Sequence, residues 1–414
     1  MEEKLVLVSG YGVPGEDDIA LYGIAGERAV KRFGLYHGRA PSFCCKGDDG
    51  VVYAASERAD GADITAYDIW EEGLRAIRTL EVPGRGLCHL CAHEGVVFGC
   101  CFESGHYFAV DAALTRVLWQ FCPDGARAHW SHIAGGALFL ADLENSCLYR
   151  FVLSGGLPQG EPQIFHQPEG SGPRQILTLE GGRLASVNEL DGTVRILTED
   201  GGVRAAVQAS DVPEPRNWPG GACLDERGML YVCNRGPNTL SAWRYSGEIL
   251  TPVWEIPTGD WPRHVAALPG TGLVLAACTR GGEVCGYAAG KDSPREVFRL
   301  PLAGASCAAA VMLLLLGADF RKATERWNTA AVGTGNSKIQ NRHPTNRYSQ
   351  RDAGFVCVFS KNICTMGIWS GTEKAAGNIR IRIFPAVFYS SARTEASAKK
   401  ERPAGSRRRP CASV

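Results

Sequence analysis

No stretch of the 414-residue chain is both apolar enough and long enough to span a bilayer as a helix. The most apolar segment, AGASCAAAVMLLLLGADF at 303–320, falls short of the roughly 20 residues that a spanning helix needs, so a buried strand is expected there. The N-terminus, MEEKLVLVSGYG, has a short apolar run behind two acids and a lysine. A secretory signal would need a basic start and a longer apolar region, so a cytoplasmic location is expected. The 16 cysteines fit that expectation, because they sit in apolar runs such as SFCCK, FGCCF and YVCN, where a reduced thiol serves as a small core side chain.

Several signatures of chemistry are missing as well. There is no P-loop and no G-x-G-x-x-G between a strand and a helix, which excludes the common nucleotide-binding motifs. The body has no G-x-S-x-G elbow, so an acyl-enzyme of the α/β-hydrolase type has no candidate nucleophile. CHLCAHE at 88–94 contains one C-x-x-C and no second one follows. Residues three apart on a strand face opposite ways, so Cys88 and Cys91 are read as core cysteines, and no metal or cofactor is expected. Helical periodicity is nearly absent before residue 312, which excludes an α-solenoid.

The zero net charge conceals two halves. Residues 312–414 carry 18 Lys and Arg against 6 Asp and Glu, leaving 26 against 38 before them. An acidic body therefore precedes a basic tail. The tail lacks any repeat, and its basic end SAKKERPAGSRRRPCASV has no aromatic interleaving for nucleic acid. It is read as a basic tail over 312–414, disordered or frame-shifted, with neither nucleic acid nor membrane as partner.

What is present is a repeat. GSGPRQILTLEGGRLASVNELDGTV (170–194) is an apolar strand, a Gly-Gly turn and a second strand ending in Asn188-Glu189. The same plan recurs in APSFCCKGDDGVVYAASE (40–57), GLCHLCAHEGVVFGCCFE (86–103), WSHIAGGALFLADLE (130–144), WPGGACLDERGMLYVCNR (218–235) and WPRHVAALPGTGLVLAACTR (261–280). Aligning Ser42, His89, His132, Arg174, Gly220 and Arg263 gives spacings of 47, 43, 42, 46 and 43 residues. A period of 40–45 residues with four short strands is a β-propeller blade. Six copies and an N-terminal unit predict an all-β, seven-bladed propeller over 1–311, closing through EVFRLPLAGASCAAAV. In such a ring the connections into the first strand and out of the second share one face. That face is expected to collect His132, Arg174 and Arg263 from strand starts, and Glu57, Asp142, Glu189, Asn234 and Arg235 from strand ends.

At these residues the chain resembles the 6-phosphogluconolactonase family of seven-bladed propellers, to which fungal carboxy-muconate cyclases are related. The resemblance rests on PSF…VVYAASE, SHIAGGALFLADL, GPRQILTLEGGRLASVNEL, NRGPNTLSAW and GDWPRHVAALPGTGLVLAAC, and it spans residues 1–311. It implies a catalytic set of His132, Arg174, Glu189 and Arg263, with Asn234, Arg235 and Glu57 binding substrate. Two segments depart from the family pattern. NRG is followed by Pro237-Asn238 instead of a histidine and an acid, and the paired-histidine motif reads AHWSH, where His132 is chosen over His129 by its distance to the next strand.

The implied activity is hydrolysis of a phosphorylated sugar-acid lactone, 6-phosphoglucono-δ-lactone, in the pentose phosphate pathway. Glu189 would take a proton from water, one arginine would bind phosphate, and the other arginine or His132 would stabilise the oxyanion. A muconate-type cycloisomerase and a non-catalytic binding scaffold stay open beside it.

Overall fold

The computed structural model describes residues 3–70, 73–290, 294–311, 355–360 and 363–368. The chain divides into two units, 1–325 and 326–414. Within the second, the described residues form one antiparallel hairpin, Phe355–Ser360 with Ile363–Ile368. The expectations of disorder or frame shift over 312–414 otherwise lie outside the described residues.

The first unit is a seven-bladed propeller of four-stranded antiparallel sheets. Six blades are continuous in sequence: blade 2 (43–81), blade 3 (87–121), blade 4 (128–166), blade 5 (173–208), blade 6 (218–257) and blade 7 (262–301). Blade 1 is composite. Its three outer strands are Lys4–Gly10, Ile19–Ala25 and Arg28–Leu35, and its innermost strand is Ala305–Val311. That strand is the expected buried strand of the 303–320 segment, and pairing of Leu5 with Val311 through Gly10 with Ala305 closes the ring. The N-terminal unit reads as degenerate in sequence because its fourth strand arrives from the other end of the propeller.

Alternation explains how the blades stack. In Lys4–Gly10, Leu5 and Leu7 pack toward blade 2 while Val6 and Val8 pack toward blade 7. Side chains of a strand alternate between faces, and here both faces are covered, so second strands such as VVFGCC (96–101) and ALFLAD (137–142) are apolar throughout. Seven buried clusters result, one between each pair of neighbouring blades. The first strands of adjacent blades pack on one another around the axis, while outermost strands such as Gly73–Glu81 are largely exposed.

Candidate active site

In blades 3 to 7 the first strand begins with a break in its ladder. Register shifts fall between Leu87 and His89, Ala128 and Trp130, Pro173 and Gln175, Pro219 and Ala222, and Pro262 and His264. The residues skipped are Cys88, His129, Arg174, Gly220-Gly221 and Arg263. A bulge removes a residue from the ladder and re-aims its side chain, so the same point of five blades is freed at one end of the channel. In blade 6 the two glycines are a packing requirement. A Cβ on Gly220 would stand 2.7 Å from the Pro262 carbonyl oxygen and 2.8 Å from that of Arg263.

A second ring of residues lies at the ends of the second strands. The amides of Tyr11, Glu57, Phe102, Leu143, Glu189 and Thr279 donate to the carbonyls of Gly304, Ala40, Gly86, Arg127, Gly172 and Trp261, at 2.7–3.1 Å. Arg235 occupies the corresponding place in blade 6, where it pairs with Trp218. The two rings together put Glu57, Arg174, Glu189, Arg235, Arg263, Tyr11 and His129 at one mouth.

They assemble into two ion clusters. Arg174 Nη1 donates to Glu189 Oε2 at 2.5 Å, and Arg235 Nη2 meets the same oxygen at 2.7 Å. Arg235 is fixed from behind by the carbonyls of Trp218 (2.9 Å) and Pro219 (3.1 Å). Across the mouth, Arg263 Nη2 reaches both oxygens of Glu57 at 3.3 Å, and the Tyr11 hydroxyl donates to Glu57 Oε2 at 2.6 Å. Glu57 belongs to blade 2 and Arg263 to blade 7, so this pair spans blade 1 and shows that the side chains converge on the axis.

Burial alone would raise the Glu189 pKa, but Arg174 and Arg235 outweigh it and hold the carboxyl at about 2. Burial, reinforced by Arg174, brings Arg235 down to about 10, so it stays charged at neutral pH. Burial drives the Tyr11 hydroxyl well above its ordinary value, Arg263 opposing and Glu57 adding. His129 is pushed well below the usual imidazole range, first by burial and then by Arg174, Arg263 and Arg235. It is therefore neutral, and its buried Nδ1 has no hydrogen-bond partner.

One residue further along the inner strands lies an aromatic floor. His89 stacks on Trp130 at 3.6 Å, and Phe43 contacts His89, Trp130 and His264 at 4.6, 5.7 and 5.6 Å. Burial lowers His264 to about 4 and His89 well below its ordinary value. This layer is uncharged and separates the mouth from the rest of the channel.

The structure brings Arg174, Glu189, Arg263, Arg235 and Glu57 together as expected from their strand positions, and it separates three others from them. His132 lies three residues beyond the bulge, past the aromatic floor, where its Nε2 meets Thr178 Oγ1 at 2.7 Å and burial lowers it to about 4. The bulge residue of blade 4 is His129. The position that matches Arg174 is therefore His129 in blade 4, three residues before His132, and Cys88 in blade 3, one residue before His89. Asn234 is fully buried and turns into its blade, accepting from Asn217 at 2.9 Å and donating to Thr239 and Ser241 at 3.2 Å. It holds the loop and is not presented to the mouth. Asp142 does similar work, accepting from the amides of Arg127 and Asn145 and from Tyr149. Tyr11 was not foreseen; only its place just after a second strand could have signalled it. Among the described residues no group of three or more His, Cys, Asp and Glu side chains is placed to share a metal ion.

Residues 6–295 match the family Lactonase, 7-bladed beta-propeller. No curated protein matches the chain. Among solved structures it is similar to a candidate 6-phosphogluconolactonase of Bacteroides fragilis, at 20% identity and TM-score 0.68, over 75% of this chain and 98% of that one. A periplasmic gluconolactonase of Pseudomonas aeruginosa shares 17% identity at TM-score 0.68, over 75% and 100% of the two chains. A virginiamycin B lyase of Staphylococcus aureus is similar at 14% identity and TM-score 0.52, over 71% and 88%. At such identities the structures share the fold, and the chemistry has to be read from the site.

Proposed function

The chain belongs to the seven-bladed β-propeller lactonase family, and we propose that it hydrolyses a sugar-acid lactone at the charged mouth, with 6-phosphoglucono-δ-lactone as substrate. The observation that carries this reading is the charge balance. Three guanidiniums (Arg174, Arg235, Arg263), two carboxylates (Glu57, Glu189) and a neutral His129 leave one positive charge in excess in a buried setting. One negative charge, the oxyanion that forms when water adds to a lactone carbonyl, neutralises that excess. Preorganised donors aimed at such an oxygen contribute roughly 10²–10³-fold each.

A carboxylate with a pKa of about 2 is a weak base. Glu189 gains basicity only as Arg174 or Arg235 turns from it toward the developing oxyanion, so proton acceptance is tied to charge development. His129 Nδ1, buried and unpartnered beside the arginines, is the second group able to hold the proton. The proton taken from water returns to the ring oxygen as the C–O bond breaks, leaving the free sugar acid. A δ-lactone is reactive enough that no covalent nucleophile is needed. We also keep the cytoplasm as the proposed location: the cysteines from Cys44 to Cys307 are free, and the neighbouring Cys278 and Cys285 sulfurs are 4.0 Å apart, beyond disulfide length.

The test is hydrolysis of freshly generated 6-phosphoglucono-δ-lactone by the full chain, with Arg174→Lys and Arg263→Lys alongside. Lysine keeps the charge beside each glutamate but loses the guanidinium fork. Turnover well above the spontaneous rate, reduced about 10²-fold in each variant, is expected. A wild-type protein no faster than buffer would end the reading, and undiminished variants would move the chemistry away from this mouth.

A further inference from the structure

Six residues that close the blades at the mouth share one backbone role, accepting the amide of the second ring. Five of them have positive φ: Gly304 (65°), Gly86 (68°), Gly172 (63°), Ala40 (49°) and Trp261 (61°). This left-handed conformation favours glycine and is an outlier for a bulky side chain. Blade 7 nevertheless places a tryptophan there. Strain of this kind persists only where the surroundings enforce it, and it gathers at ligand sites. Asn238 does the enforcing, accepting the Trp261 amide at 2.9 Å while its own amide group donates to Asp260 at 2.9 Å. It belongs to the Pro237-Asn238 pair at which the chain departs from the family pattern.

The half-exposed indole so displayed overlooks the charged mouth. The Arg235 guanidinium, which binds Glu189, lies 5.5 Å from its ring, and Trp218 lies 6.1 Å away. On the same indole rests the exposed Arg280, at 3.5 Å, which has no carboxylate partner among the described residues. The contrast with the interior decides what this group is for. Arg174 and Arg235 share Glu189 and Arg263 holds Glu57, so a phosphate resting on any of the three would compete with a buried carboxylate from the moment the substrate binds. Beyond Trp218 the groove running from Arg216 is lined by Asp191, Asp211 and Glu214, which disfavours an anion on that side.

We propose that Trp261 and Arg280 form an outer subsite in which the indole stacks on the ring of the bound lactone and Arg280 binds its distal anionic group, a phosphate. This rests on the lactonase reading above and shifts phosphate recognition from the buried arginines to the rim. A guanidinium stacked on an aromatic face keeps its in-plane N–H groups free, the geometry that suits a phosphate.

The test compares kcat/KM for 6-phosphoglucono-δ-lactone and for unphosphorylated glucono-δ-lactone in the full chain, Arg280→Ala and Trp261→Gly. Loss of a charge-assisted hydrogen bond predicts that Arg280→Ala lowers the value for the phosphorylated lactone about 10–100-fold while leaving the other within about twofold. Trp261→Gly should lower both, and because glycine suits the φ at 261, misfolding would not be the cause. Equal effects of Arg280→Ala on the two lactones, or none on the phosphorylated one, would overturn the subsite. Should the wild type hydrolyse neither lactone, the lactonase reading fails by itself. The subsite is then decided by calorimetric binding of 6-phosphogluconate and gluconate to wild type and Arg280→Ala. At least tenfold weaker 6-phosphogluconate binding in the variant supports it, and equal binding rejects it.

Discussion

Glu189 shows at the scale of one residue how a site is held ready. Its carboxyl lies at about 2 in the fold because Arg174 and Arg235 outweigh burial. A depressed carboxylate stabilises the native state above its ordinary value near 4.5, and that stability is lost as pH falls toward 2. The shift corresponds to about 3 kcal/mol, so the melting temperature should fall between pH 4.5 and 2. Glu189→Gln should flatten that part of the profile and cost about 3–5 kcal/mol at neutral pH, because two buried guanidiniums lose their counter-charge. Urea titration of both proteins at pH 7 and pH 3 checks both effects; a variant as stable as wild type at pH 7 would contradict the pairing. With Glu189 ionised above pH 2 and His129 neutral throughout, kcat/KM for unphosphorylated glucono-δ-lactone, which lacks the phosphate ionisation near about pH 6, should be flat from about pH 5 to 8 after correction for spontaneous hydrolysis. A limb near pH 6.5 would mean that His129 titrates in the ordinary range.

At the scale of the strand, one added residue at the start of the first strand in blades 3 to 7 sorts the mouth from the channel. The bulge presents His129, Arg174 and Arg263 at equivalent points of three blades, and it leaves His132 on Thr178 beyond the aromatic floor. In blade 6 the same point carries Gly220, whose missing Cβ lets the Pro262–Arg263 backbone approach. Gly220→Ala should therefore destabilise by about 1–3 kcal/mol through overpacking and displace Arg263 from Glu57. Thermal melts with the lactone assay would show a lower melting temperature and reduced kcat together. An unchanged melting temperature would mean that blade 7 yields without strain.

At the scale of the whole molecule, closure depends on Ala305–Val311 completing blade 1 beside Lys4–Gly10. Ending the chain at residue 304 should remove the cooperative thermal transition, since blade 1 loses its innermost strand and blades 1, 2 and 7 lose buried contacts with it. A cooperative melt in the truncated chain would show that the ring does not need the closing strand. Much of this architecture was legible without coordinates. The recurring hairpins, the turn glycines and strands apolar on both faces specify blades, because each is a local consequence of alternation and turn chemistry. The blade count, the closing strand and the shared face of Arg174, Glu189, Arg263, Arg235 and Glu57 followed from them. Which histidine joins the mouth, that Asn234 turns inward, that Tyr11 belongs to the site and that Trp261 carries Arg280 were decided only by the tertiary structure. A bulge shifts register by a residue without a distinctive sequence mark, and a site shared among blades is set by distances across an axis that no neighbouring residues in the chain encode.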